Sequence, residues 1–154
     1  MFISHNIDNI NINNIFQSEK IKNTIIENSE FIKIFYSDKN SIQKGLTIIC
    51  NLNLNLNSNN IKNKININYQ NNKQLFDKLI ELEKKILEQF IFLGFPKYKL
   101  SEQLKSNYIS LYNLNKNTNN IVYILKISGI WINNNSYGLT FKFLQSNNFT
   151  ITHQ

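Results

Sequence analysis

The sequence predicts a mainly β protein with one long helix, in the order β-β-β-α-β-β-β, and three observations predict it. Residues 46–57 alternate, with Cys50, Leu52, Leu54 and Leu56 on one side and Asn51, Asn53, Asn55 and Asn57 on the other, which is the period of a half-buried strand. Residues 72–93 switch to apolar side chains three and four apart, the period of an amphipathic helix. Residues 121–145 return to β-rich sequence on both sides of a polar Asn134-Asn135-Ser136 turn. Three strands, a helix plugging one end and closing strands is the order of an OB-like barrel. An open α+β sandwich is the alternative that the same string allows. The barrel ranks first because closure hides the edges of long twisted strands.

The elements follow in chain order. Residues 1–30 read as an N-terminal arm, partly disordered, in which residues 1–15 could add an edge strand and residues 16–29 have the weak spacing of a short helix. The main domain spans 31–145 and a tail spans 146–154. Phe31-Ile32-Lys33-Ile34-Phe35-Tyr36 is a strand by its β-branched and aromatic content, and residues 37–41 are its turn. Residues 61–69 alternate again and pair with 46–57 as a hairpin through Ser58-Asn59-Asn60. The helix is capped at Asn71 or Asn72 and stopped by Gly94 and Pro96. Residues 98–105 are a loop or one helical turn, 107–112 a short strand and 113–120 a polar loop. In the closing pair, Tyr123, Leu125, Ile127, Gly129 and Trp131 share one face, as do Leu139, Phe141 and Phe143. Gly129 marks a kink or bulge in the first of these strands.

Length and composition bound the function. A chain of 154 residues is the size of one domain, without a second lobe to form a cleft. It has no Ala and no Arg, a single Val, and an excess of Asn, Ile and Lys, as an A/T-rich genome would impose. Asn-rich tracts such as 51–60 therefore carry little functional meaning. Net charge is +7, and every acid lies at or before Glu102, after which come Lys105, Lys116, Lys126 and Lys142. One-sided positive charge favours a polyanion partner. A lone cysteine, Cys50, fits a reducing intracellular compartment and allows no internal disulfide. No apolar run is long enough to span a bilayer and no secretory pattern opens the chain, so no membrane partner is expected.

Catalytic patterns are missing, and no enzyme, cofactor or metal site is expected. His5 and His153 lie near opposite ends with no neighbouring ligand at metal spacing. Cys50 falls on an apolar strand face, and Glu81, Glu83 and Glu88 read as a solvated helix face beside Lys84 and Lys85. What remains is lysine interleaved with aromatics, the requirement of a protein that neutralises a backbone and stacks bases. The lysines expected to meet phosphates are Lys33, Lys105, Lys126 and Lys142. The stacking candidates are Tyr36, Tyr108, Tyr112, Tyr123 and Trp131, with Tyr137 a further half-exposed phenol; Phe141, Phe143 and Trp131 fall on apolar strand faces and read first as core. Without arginine, bidentate guanine readout is lost, so sequence-specific duplex recognition is not expected.

Ile127-Ser128-Gly129-Ile130-Trp131, a polar turn and Tyr137-Gly138-Leu139-Thr140-Phe141-Lys142-Phe143 resemble the C-terminal hairpin of small proteins of large DNA viruses. Phe35-Tyr36-Ser37 and residues 98–104 also resemble segments of those proteins, some of which are similar to the OB-fold single-stranded-DNA-binding proteins of T7-type phages. The resemblance spans about residues 31–145. It implies non-enzymatic binding of single-stranded nucleic acid, DNA first and RNA second, in viral or plasmid replication or recombination. Phage members carry an acidic C-terminal tail that recruits partners, whereas residues 146–154 contain no acid. The rival expectation is a structural or assembly protein, such as an organellar ribosomal component or a viral transcription or virion factor. Homo-oligomerisation through exposed strand edges is a further expectation.

Overall fold

A computed structural model describes residues 3–54, 63–112 and 122–146. The expected turn at 58–60, loop at 113–120 and tail beyond Ser146 lie outside the described residues, as do Leu56, Lys116 and His153. The described elements are β1 (Ile15–Lys22), β2 (Glu30–Ser37), β3 (Ile42–Lys44), β4 (Leu46–Cys50), β5 (Lys64–Asn66), α1 (Lys73–Glu88), β6 (Phe95–Lys97), α2 (Lys99–Lys105), β7 (Tyr108–Ser110), β8 (Val122–Asn133) and β9 (Ser136–Ser146). The protein is mainly β with one long helix. Seven strands form a mixed sheet in the order β1-β2-β8-β9-β6, with β3 added on β2 and β4 on β8, while β5 and β7 pair separately. Among the described residues this sheet stays open and does not close into a barrel.

Strand β8 organises the sheet. Along one edge it pairs with β9 throughout; the other edge is shared, with β4 opposite Tyr123–Ile127 and β2 opposite Gly129–Ile132. The hand-over falls at Ser128, where the ladder to β9 also skips a residue between Ile127 and Gly129. An extra residue reverses which side chains face inward. Tyr123, Leu125 and Ile127 enter the core before the bulge, and Ile130 and Ile132 after it. The expectation of one continuous face through Gly129 and Trp131 is corrected accordingly: the bulge at Ser128 turns both to the opposite side. Strand β9 has no such interruption, and Leu139, Phe141 and Phe143 share the core side as expected.

Gly129 also admits β2. A Cβ there would stand 2.2 Å from the Ile32 carbonyl oxygen, which is ladder backbone and cannot yield without opening β2 from β8. Gly129→Ala is expected to lower stability by about 2–3 kcal/mol through this overpacking. The urea unfolding midpoint checks it, and an unchanged midpoint would contradict it.

The N-terminal arm departs from expectation. Residues 16–29 form no helix; Ile15–Lys22 is a strand antiparallel to β2, with an irregularity between Gln17 and Lys20. Phe16 and Ile21 stay exposed, so no apolar helix face was there to bury. His5 is tied down rather than loose: its amide donates to the Thr47 carbonyl and its carbonyl accepts from Ile49. Among the described residues the expected 46–69 hairpin shows one isolated bridge, Leu54 opposite Ile67, and β5 pairs with β7. Asn72 explains part of this. Buried at the start of α1, its carboxamide accepts from the Asn53 amide and donates to the Asn53 and Asn68 carbonyls, so the Asn53 backbone is bonded to the helix entrance. The helix ends at Glu88, before Gly94, which follows a short 3-10 turn with φ of 123°. Residues 99–105 form a two-turn helix, α2, on the core side of the sheet.

Candidate nucleic-acid interface

The side of the sheet away from the core can be read row by row from strand register. In one row Phe31 of β2 stands opposite Trp131 of β8, which stands opposite Gly138 of β9, which is in register with Lys97 of β6. The next row holds Lys33, Gly129 and Thr140. Beyond the bulge comes Thr47, Lys126 and Lys142. Lys33 and Lys97 are exposed, and Phe31, Trp131, Lys126, Thr140 and Lys142 are half-buried. Thr47 and Ile124 on the same side are buried, which bounds the accessible part of the face. Two lysines in register on neighbouring strands concentrate positive charge, and β8 and β9 contain no acid to offset it.

Tyr112 extends this face. Its amide donates to the Phe143 carbonyl, drawing the end of the β7 segment alongside β9, and Lys142 Nζ lies 4.4 Å from the centre of its ring. The ring is 72% exposed. Lys64 Nζ lies 4.5 Å over the Tyr108 ring in the same manner on β5 and β7. A lysine over a phenol face is a cation–π contact, and it leaves the opposite ring face for another partner. Of the residues expected to bind, Lys33, Lys126, Lys142, Trp131 and Tyr112 share the outer face; Tyr108 lies on the neighbouring two-stranded sheet. Lys105 is exposed at the end of α2, beside Tyr69 and Asn107.

Two expected stacking rings are corrected. Tyr36 is 2% exposed, with the His5 ring edge-on at 4.8 Å and its hydroxyl accepting from the Asn11 amide. Tyr123 is 6% exposed, and burial pushes its phenol above the ordinary range. Neither can present a ring face to a base. Tyr137 is also fully buried and donates to the Leu87 carbonyl at the end of α1. Strand alternation held the signal for what replaces them. Tyr36 falls in step with Ile32 and Ile34, whereas Phe31 and Phe35 fall in step with Lys33, the residue that must face water. Phe31 and Phe35 are therefore the rings of β2 on the outer face.

Two further titratable side chains, Cys50 and Glu83, lie in the interior. Cys50 is buried in the core and burial raises its thiol to about 12, which leaves it unreactive. Glu83, expected on a solvated face, is fully buried and accepts from the amides of Leu100 and Ser101 and from the Ser101 hydroxyl. It caps α2 from α1. Glu81 pairs with Lys85 in solvent, as expected. Among the described residues no group of His, Cys, Asp and Glu has the arrangement of a metal site, and no helix is long and apolar enough to cross a membrane. Comparison with protein-family models, curated proteins and solved structures finds no match to this chain.

Proposed function

We propose that the protein binds single-stranded nucleic acid, DNA in the first instance, through the outer face of its sheet, without catalysis, in replication or recombination of a viral or plasmid genome. The observation that carries this reading is the co-location of Lys33, Lys126 and Lys142 with the rings of Trp131 and Tyr112 on one side of three hydrogen-bonded strands and the segment beside them. Lysines spread over a continuous face can follow a phosphate chain, and the lack of arginine suits binding without sequence preference. An OB-like architecture belongs to the same proposal. Its support is a pair of single-residue bridges, Leu54 to Ile67 and Leu111 to Phe143, which connect β4 through β5 and β7 back to β9.

The test is a titration of labelled oligo-dT at several salt concentrations. If the three lysines each neutralise one phosphate, the logarithm of affinity falls with the logarithm of salt at a slope of about −2. Absence of binding at low salt would overturn the proposal.

A further inference from the structure

Two rings on the outer face are seated in a way that a sheet alone does not require. Side chains on strands ordinarily stand upright. Here each of two aromatic side chains reaches over a neighbouring glycine. A Cβ on Gly129 would lie 2.4 Å from Phe31 Cζ and 2.9 Å from its Cε2. A Cβ on Gly138 would lie 2.8 Å from Trp131 Cζ2 and 2.9 Å from its Cε2. Cζ2 and Cε2 are neighbouring atoms of the benzo ring, so the indole reaches across from β8 onto Gly138 of β9. Phe31 reaches from β2 toward β8, and Trp131 from β8 toward β9, so both lean the same way across the sheet. Neither could do so over an ordinary side chain. Both rings are held against the sheet yet only half-buried, so part of each stays accessible, and an accessible ring surface is what stacking on a base requires. Lys33 is opposite Gly129 and Lys97 is in register with Gly138, which puts a cation on the row of each seat.

We propose that Phe31 and Trp131, seated on Gly129 and Gly138, form a two-ring platform that stacks unpaired bases, so that the site recognises bases as well as phosphates. The proposal rests on the single-strand-binding reading above and specifies its ligand. Duplex, whose bases are already stacked on each other, is a poor ligand for such a platform. The same rings also cover glycine gaps in the sheet, so the test separates stacking from packing.

Labelled oligo-dT, an abasic oligomer of equal length and a duplex are titrated against the wild-type protein, Trp131→Leu, Trp131→Phe and Phe31→Leu. Leucine keeps an apolar cover over the glycine without a π face, and phenylalanine restores one. Wild type is expected to favour oligo-dT over the abasic strand by about tenfold or more. Trp131→Leu and Phe31→Leu should each reduce that preference several-fold, and Trp131→Phe should retain most of it. Equal wild-type affinity for both strands, or an undiminished preference in Trp131→Leu, would overturn the platform while leaving single-strand binding standing. No binding to either strand would overturn both.

Discussion

Replacing Glu83 with alanine is expected to cost about 3 kcal/mol of folding stability, since it leaves three buried donors without an acceptor. Those donors are the Leu100 amide, the Ser101 amide and the Ser101 hydroxyl, all at the first turn of α2. Glu83 is the bond between the two helices, and α2 is too short to persist without such an anchor. Against a domain stability of roughly 5–15 kcal/mol the loss is a large fraction. Glu83→Gln keeps one acceptor and should lose less. Burial lifts the Glu83 carboxyl above its ordinary 4.5, outweighing the donors that favour the ion. The folded state therefore binds this proton more tightly than the unfolded state. Its contribution to stability is fully present below pH 4.5 and declines as pH rises through the raised folded value. Asp38, Asp77 and Glu81 are lowered by their hydrogen bonds, to backbone amides for Asp38 and to lysines first for the others, and act in the opposite direction in acid. The difference between wild type and Glu83→Gln in urea unfolding isolates the Glu83 slope. A pH-independent difference would contradict this account, and so would an alanine variant as stable as wild type.

Reversing Lys126 and Lys142 together to glutamate should weaken oligo-dT binding by at least about tenfold at low salt and flatten the salt slope by about 1.4, from two lost phosphate contacts. The two residues are register partners, so the substitution converts the centre of the face from positive to negative. It also removes the cation over Tyr112, worth about 0.5–1 kcal/mol, so a small stability change is expected. Lys84→Glu/Lys85→Glu on the exposed side of α1 makes the same change in net charge away from the sheet. It should leave the slope near the wild-type value. Equal effects from both double variants, read by fluorescence anisotropy, would mean that overall charge and not this face governs binding.

The fold was legible where its determinants are local. Alternation over 121–145 and the Asn134-Asn135 turn located β8 and β9 nearly to the residue, and apolar spacing located α1. What the residues did not disclose depends on partners distant in the chain. β1 has exposed Phe16 and Ile21 and is a strand only because β2 offers an edge. β5 was expected to turn back on β4, yet pairs with β7 some forty residues on. Glu83 was legible in principle: it lies four residues after Leu79 and four before Leu87, on the apolar stripe of the helix. The candidate site was half legible. Lys33, Lys126, Lys142 and Tyr112 are on the outer face, while Tyr36 and Tyr123 are buried because their strands alternate the other way. Trp131 changes sides only through the bulge at Ser128, an event that period-two reasoning cannot register, although Gly129 marked the spot.

Trp131 is the sole tryptophan and stands in the row between Phe31 and Gly138, so its emission during an oligo-dT titration tests the outer-face account most directly. Saturable quenching at low salt, tracking the anisotropy of the labelled strand and reversed by added salt, is the predicted result. Strand binding that leaves the indole emission unchanged would contradict it and direct attention to another surface of the protein.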